Sequence, residues 1–174
     1  MMKIAVVSCM MTLSVMAAAA SAATMNAEAP LKPTTGSKVS GNVSFEQGAD
    51  SLHVKGRIEG LTPGLHGFHI HEKGDCSAPD GTSAGGHFNP ATTQHGDPAK
   101  DMHHGGDFGN LNANDKGIAE VDVKLPLKQV NLTKGDAANA VGRAVIVHAA
   151  PDDMVTQPTG NAGARLACGV IAAK

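Results

Sequence analysis

The sequence predicts an all-β domain of about eight short strands, arranged as a sandwich or barrel with two long loops. Several segments alternate apolar and polar residues, as half-buried strands do, and no window holds a helical period over twelve residues. The 21 glycines and nine prolines favour short segments and frequent turns. The core must be aliphatic, because the chain has only four phenylalanines and neither tryptophan nor tyrosine.

The first 23 residues are predicted to be a secretory signal peptide. Lys3 supplies a minimal positive region, residues 4–20 are largely apolar, and an Ala-Ser-Ala pattern ends at Ala22. Cleavage is therefore expected near Ala22 or Ala23. A membrane anchor is the alternative, but the apolar run is short for a span and no charged cluster follows it. We expect an exported chain without stable membrane insertion.

Charge and cysteine content narrow the function further. The net charge of −2 is too acidic for nucleic-acid binding. Cleavage of the leader would remove Cys9 and leave Cys76 and Cys168. An even pair of cysteines far apart in an exported chain predicts a disulfide, and two free buried thiols are the alternative.

The first part of the mature chain predicts a lead-in followed by a hairpin. Residues 24–37 are polar and contain two prolines, so we expect an N-terminal lead-in or a short edge strand, with the domain itself over residues 38–174. Residues 37–47 and 51–61 alternate apolar and polar side chains on either side of a Gly-Ala-Asp turn. Two such segments joined by a short turn predict a β-hairpin.

A third strand, which reads LHGFHIHE, leads into a long loop over residues 73–105. An irregular loop of that length is unusual in a compact domain unless it serves a function. Bound metal and a disulfide would supply the order that backbone hydrogen bonds do not.

The remaining strands follow this loop. Two of them flank an Asn-Asp-Lys-Gly turn at residues 114–117, and residues 126–140 connect them to an apolar, β-branched strand that ends at His148. A second loop covers residues 149–163. The segment RLACGVIA then closes the chain as a last strand.

Histidines are concentrated in residues 69–107, which hold six of the nine. His69 and His71 alternate along a strand, so their side chains point to the same side, with Cα atoms about 6.5–7 Å apart. That separation allows two imidazoles to bind one metal ion. A purely structural role is the alternative reading for each.

His87, His95, His104 and Asp107 follow at loop spacings that allow them to surround one ion. Three imidazoles and a carboxylate fill a tetrahedral zinc site with no open position. For any one of these histidines, a loop side chain satisfied by backbone or water is the alternative. His148 is a more distant candidate.

Five motifs resemble those of the copper/zinc superoxide dismutase family and cover nearly all of residues 38–172. In order, they are GFHIHE, SAGGHFNP, HGGDFGN, VIVHA with a following DD, and TGNAGARLACGVI. The resemblance implies an eight-stranded Greek-key β-barrel whose two loops form the metal site. It also implies one copper and one zinc per subunit, superoxide anion as substrate, and oxygen and hydrogen peroxide as products. A bacterial periplasmic member that protects the cell envelope, as a monomer or homodimer, is expected.

Carried over residue by residue, the resemblance implies two ligand sets that share one histidine. Copper would be held by His69, His71, His87 and His148. Zinc would be held by His87, His95, His104 and Asp107. The family's H-x-x-D spacing selects His104, so His103 is expected to be an exposed neighbour.

Other roles also follow from the resemblance. His87 and Arg165 would be the catalytic residues: His87 would take and return a proton, and Arg165 would attract the substrate anion. Asp152 would hydrogen-bond one copper histidine and one zinc histidine. His66 is expected to be structural, and His53 is read as a surface strand residue.

The second loop contains no lysine, whereas eukaryotic members of the family place charged guiding residues there. Lys73 or Lys100 is therefore a candidate for steering the substrate.

Three other functions are alternatives to superoxide dismutation. A non-catalytic copper/zinc buffer or chaperone needs neither Arg165 nor a fourth copper histidine. A cupin would need a glutamate where Asp75 and Cys76 stand, and a zinc hydrolase would need an open coordination position.

Overall fold

The computed structural model describes residues 24–174. The predicted signal peptide and Cys9 lie outside the described residues. None of the helical structure in residues 24–174 is long and apolar enough to span a membrane. Beside one short 3₁₀ helix at Thr82–Ala84, this part of the chain forms β1 Met25–Pro33, β2 Ser40–Gln47, β3 Ser51–Glu59, β4 Gly64–His71, β5 Asp107–Ala113, β6 Ala119–Pro126, β7 Ala144–His148, β8 Arg165–Val170 and β9 Ala172–Ala173.

The strands form a nearly closed antiparallel barrel, which confirms the predicted all-β class. Eight of them follow each other in the order β5-β4-β7-β8-β1-β2-β3-β6, and β9 pairs with β1. The two end strands, β5 and β6, are consecutive in sequence and lie near each other. No ladder joins them in the described part of the chain, so the turn at residues 114–117 spans the seam of the barrel.

The predicted hairpin is formed by β2 and β3, and its inward side chains fill one side of the core. Phe45 lies opposite Val54, and both are buried. Leu52 and Ile58 are also fully buried on the same face. The period-two pattern therefore identified the correct face of each strand.

The prediction for residues 24–37 was wrong in one respect. Most of this segment is not a lead-in or a short edge strand, because β1 is nine residues long and lies between β2 and β8. Pro30 is tolerated because β1 changes its neighbouring strand at this residue. On the side facing β8, β1 pairs with β9 at Glu28 and with β8 at Lys32, and the Pro30 carbonyl approaches Gly169 closely on that side. The missing N–H of Pro30 thus falls between two ladders.

The C-terminal segment also differs from the prediction of one strand. It forms β8 and β9, separated at the buried residue Ile171. The backbone N–H of Ile171 donates to the carbonyl of Arg143, and its carbonyl accepts from the N–H of Gly142. These bonds to the turn before β7 take Ile171 out of the regular strand pairing.

β4 and β7 are the strands that position the site. They pair with each other from Phe68↔Val147 to His71↔Ala144, and both are buried along this length. On β4, Phe68 and Ile70 face the core, so the alternation turns His69 and His71 to the opposite side.

The long loop after β4 is tied to the barrel by the predicted disulfide. Cys76 is bonded to Cys168 on β8, with Cα atoms 5.8 Å apart. The bond holds the 3₁₀ segment of the loop beside the strand that carries Arg165.

Candidate metal centre

Two groups of buried side chains offer ligand atoms that lie within 4.8 Å of one another. The first contains only imidazoles, and the second adds a carboxylate. Their members are His69, His71, His87 and His148 in the first group, and His87, His95, His104 and Asp107 in the second. The structure therefore brings together every residue that the sequence analysis placed in the two ligand sets, and His87 belongs to both.

In the first group, hydrogen bonds to the protein occupy one ring nitrogen of three histidines. His71 Nδ1 donates to the carbonyl of Gly85 (2.9 Å), and His148 Nδ1 donates to that of Gly163 (3.2 Å). His69 Nε2 lies 2.7 Å from Asp152 Oδ2. These acceptors assign the tautomers, so the opposite nitrogen of each ring carries a lone pair.

The lone pairs of this group face one another. His71 Nε2 and His148 Nε2 are 3.3 Å apart. Because each ring has already given its proton to a carbonyl, this contact joins two acceptors and is not a hydrogen bond. A cation between the rings resolves the repulsion.

The second group is arranged around the Asp107 carboxylate. Its oxygens lie 2.8 Å from His87 Nδ1, 3.0 Å from His95 Nδ1 and 3.3 Å from His104 Nδ1. The last two contacts lack the alignment of a hydrogen bond, because both nitrogens are without a hydrogen-bond partner. Neighbouring ligands of a tetrahedral zinc ion are about 3.3 Å apart, given bonds near 2 Å.

Unsatisfied atoms provide a test of whether these residues fit metal ions. Among the residues that the structure describes, four buried ring nitrogens have no hydrogen-bond partner: His69 Nδ1, His87 Nε2, His95 Nδ1 and His104 Nδ1. A buried polar atom left unpaired costs about 1–3 kcal/mol, so four together need an explanation. All four belong to the two groups, and they are the nitrogens not used in bonds to the protein. The donors fit two ions, since imidazoles alone suit copper and imidazoles with a carboxylate suit zinc.

Burial keeps three imidazoles of the first group neutral. It lowers the pKa of His148 to about 3 and that of His87 to about 4, and it also holds the pKa of His71 well below the ordinary value. Neutral imidazoles have the lone pair that metal coordination requires.

The carboxylate makes the second group different. Burial opposes ionisation of Asp107, but the close contacts of its carboxylate with His104, His87 and His95 outweigh it and hold the carboxyl pKa well below its usual range. Burial would also lower the pKa of His95, yet Asp107 and Asp152 outweigh this effect and raise that pKa to about 9. The ionised Asp107 therefore brings to the group a negative charge that attracts a cation.

Asp152, from the second loop, joins the two groups. Its Oδ2 accepts from His69 Nε2 and its Oδ1 lies 2.9 Å from His95 Nε2. The backbone of Asp152 is held by the side chain of Asn110, with bonds of 2.7 and 2.9 Å. At Gly160, φ is +67° and a Cβ would overlap the Asp152 carboxylate, so only glycine leaves room for this contact.

Arg165 lies at the start of β8, opposite His148 at the end of β7. Its guanidinium donates to the carbonyls of Gly81 and Gly85, both at 2.7 Å. The residue as a whole is half-buried. The loop anchored by Cys76 thus positions this cation beside the first group.

The remaining histidines lie outside both groups. His66 Nδ1 donates to the carbonyl of His148 at 2.8 Å, which agrees with a structural role. His53 contacts Asp122 across β3 and β6. His103 is half-buried rather than exposed as predicted. Its Nδ1 donates to the carbonyl of His104 (2.7 Å), and the Thr93 hydroxyl donates to the carbonyl of His103 (2.6 Å).

The sequence did not indicate several residues that position the side chains of the site. Gly81 and Gly85 hold Arg165, Asn110 holds Asp152, and Gln157 holds His95. Asn110 is the last residue of the HGGDFGN motif, so this motif could have identified it. Gly81 and Gly85 act through backbone carbonyls and Gln157 through a surface amide, groups that no sequence pattern distinguishes.

An all-β barrel with two buried groups of potential metal ligands that have one histidine in common defines a class of metalloprotein. Comparison with known proteins narrows that class. Residues 39–171 match the family model described as copper/zinc superoxide dismutase (SODC). The extracellular superoxide dismutase [Cu-Zn] of Brugia pahangi is 42% identical over 144 residues, which are 77% of this chain and 69% of that protein. Superoxide dismutase [Cu-Zn] 2 of Mesembryanthemum crystallinum is 46% identical over 144 residues, which are 76% of this chain and 86% of that protein. The chain belongs to the copper/zinc superoxide dismutase family.

Proposed function

We propose that this protein converts superoxide to oxygen and hydrogen peroxide at a centre of one copper and one zinc ion. In the balanced reaction, two superoxide anions and two protons give one O₂ and one H₂O₂. Membership of the family supports the activity and both metals. Copper is held by His69, His71, His87 and His148, and zinc by His87, His95, His104 and Asp107. The observation that carries this assignment is the position of His87, whose Nε2 is unpaired toward the first group and whose Nδ1 is 2.8 Å from Asp107.

Bound copper supplies the one-electron exchange of the reaction. The protein contributes a proton site, a charge and an orientation. His87 Nε2 is the atom at which a proton is held and then given to the peroxide product. Because that nitrogen has no other hydrogen-bond partner, no protein group competes for the proton.

Arg165 attracts and orients the anion. A guanidinium has five N–H donors, and the carbonyls of Gly81 and Gly85 occupy two of them. The others remain for a small anion. Asp152 keeps His69 and His95 in the tautomers that direct Nδ1 toward the ions.

The protein is exported to the periplasm of a bacterium, and the leader is removed near Ala22 or Ala23. The support is the composition of residues 1–23 and a disulfide of the kind that persists in oxidising compartments. One relative is named extracellular. The mature chain then comprises residues 24–174, as a monomer or homodimer.

The test is metal analysis of the purified exported protein, paired with a superoxide assay of zinc-only and copper-reconstituted forms. One copper and one zinc per chain are expected, with activity in the copper-containing form alone. Activity that does not depend on copper would refute the mechanism. Two bound metals without activity would favour the buffer or chaperone function. Mass spectrometry of the same sample determines the first residue of the mature chain.

A further inference from the structure

The side chain of Gln157 makes two hydrogen bonds to the backbone of His95, 62 residues away. The His95 N–H donates to Gln157 Oε1 at 2.8 Å, and Gln157 Nε2 donates to the His95 carbonyl at 2.8 Å. The amide therefore uses both of its functions on one residue, as a neighbouring strand would. Nε2 also lies 3.1 Å from the carbonyl of Val155, which fixes the orientation of the amide.

These bonds satisfy a part of the loop that has no strand partner. His95 is buried, with 4% of its surface exposed. A buried N–H and C=O need partners, and within residues 24–174 no backbone group bonds to either group of His95. Gln157 is exposed as a residue, but its amide covers this buried backbone.

The second loop thus holds His95 at two levels. Gln157 fixes its main chain, and Asp152 fixes its ring through Nε2 at 2.9 Å. With both constraints, His95 Nδ1 points at the second group and lies 3.0 Å from Asp107 Oδ2. Neither constraint alone determines where Nδ1 lies, because a ring held only at Nε2 can still move with its backbone.

We propose that Gln157 is a positioning residue of the zinc site, and that its amide clamp on His95 slows the loss of zinc. The clamp keeps Nδ1 in place while the other ligands exchange. This inference rests on the proposed zinc ligand set. It gives the short, lysine-free second loop a role in retaining metal that is separate from guiding substrate.

The test uses copper-free, zinc-loaded protein and follows zinc release to a chromogenic chelator. Gln157→Ala removes the amide, and Gln157→Met keeps a side chain of similar length without hydrogen-bonding groups. Gln94→Ala is the matched control, since Gln94 is an exposed glutamine next to His95. Loss of two hydrogen bonds predicts release about tenfold faster in both Gln157 variants and unchanged release in the control.

Substitution of the zinc site with Co²⁺ gives a readout of ligand geometry. The visible bands of the cobalt form are expected to shift in both Gln157 variants, whereas a merely structural role on the surface would leave them unchanged. Release at the wild-type rate in Gln157→Ala would overturn the proposal. Wild-type release in Gln157→Met with fast release in Gln157→Ala would also overturn it, since packing rather than the amide would then hold His95.

A separate variant distinguishes failure of this inference from failure of the ligand assignment. His95→Ala is expected to reduce zinc content. If zinc content is unchanged, the proposed zinc set is wrong. If zinc is lost in His95→Ala while both Gln157 variants release it at the wild-type rate, only the role of Gln157 is wrong.

Discussion

Two hydrogen bonds meet at the carbonyl oxygen of Gly85. One comes from His71 Nδ1 (2.9 Å) and the other from Arg165 Nη2 (2.7 Å). A peptide oxygen has two lone pairs, and both are used here. The same atom therefore sets the tautomer of His71, a proposed copper ligand, and the position of Arg165, the proposed binding group for the substrate anion.

Arg165→Ile is expected to retain both metals but to lower kcat/KM by roughly ten- to a hundredfold, because a fixed charge raises the encounter rate with an anion. The salt dependence of the rate should weaken as well. Arg165→Lys is the matched control, since it keeps the charge without the planar donors. Metal content by mass spectrometry and superoxide kinetics at several ionic strengths provide the measurement. Kinetics equal to wild type would contradict the assigned role.

Residue chemistry determines which parts of the site were predictable from the sequence. His69, Asp107 and Cys76 were identified because imidazoles, carboxylates and thiols have few uses in such spacings. Gly85 and Gln157 were not, because a carbonyl oxygen and a surface amide bind through groups that are common everywhere in a chain. Their role depends on the folded position of the loop.

At the scale of elements, the loop after β4 has little regular structure and depends on attachment. Its fixed points are the disulfide to β8 and the ligands His87, His95 and His104. Removing the disulfide would leave the 3₁₀ segment attached to the strand that carries Arg165 only through hydrogen bonds such as those from Arg165 to Gly81 and Gly85. The loop would then depend on such bonds and on the proposed metal ions.

The double variant Cys76→Ser/Cys168→Ser tests this dependence without leaving a free thiol. The two cysteines are 92 residues apart, so the chain-entropy account gives a stabilisation of up to about 4–5 kcal/mol. We expect a loss of this order or less in the free energy of unfolding, measured by urea denaturation of metal-free protein. Wild-type protein treated with reductant is the control and should unfold at the same urea concentration as the variant. An unchanged midpoint in both would contradict the expectation.

Alternation along each strand predicted the faces of the elements but not their neighbours. β5 and β6 were expected on either side of one turn, and they are, yet they lie at opposite ends of the ladder. The length and interior position of β1 were not predicted, because its prolines are unfavourable in an interior strand. Whether Pro30 disrupts a ladder depends on which strand lies beside it, and the sequence at Pro30 does not indicate that neighbour.

At the scale of the whole molecule, the substrate must find the site against a net negative charge of −2. The second loop provides no lysine. Lys73, by contrast, is exposed immediately after β4, and its N–H is bonded to the carbonyl of Ala84 (3.0 Å). The backbone of Lys73 is therefore fixed at the start of the loop that carries His87 and His95.

Lys73→Ala is expected to lower kcat/KM a few-fold at low salt and to flatten its decrease with ionic strength, because screening then has less attraction to remove. Lys174→Ala is a suitable control, since Lys174 pairs with Glu28 on β1 instead. Stopped-flow kinetics over a range of salt concentrations provide the measurement. A slope equal to that of wild type would remove Lys73 from the list of steering residues.

Metal removal tests the stability of the whole barrel. Without ions, four ring nitrogens are buried unpaired and two further lone pairs face each other, so the metal-free protein should be less stable. We expect a lower Tm after chelation and a higher Tm on adding zinc alone. The free energy of unfolding should rise by about 1.4 kcal/mol for each tenfold excess of zinc over Kd. Differential scanning calorimetry of the chelated and reloaded protein measures this, with magnesium as the control ion. A Tm independent of zinc would be inconsistent with the site.

The pairing of β1 with β8 also affects how quickly the chain can fold. Lys32 lies opposite Cys168, so a segment synthesised early waits for almost the last residues before its ladder can form. Such distant pairing makes barrels slow to fold. For the exported protein that we propose, this delay would keep the barrel open while the chain crosses a membrane. The proposed copper site also joins distant parts of the chain, since His69 lies on β4 and His148 on β7.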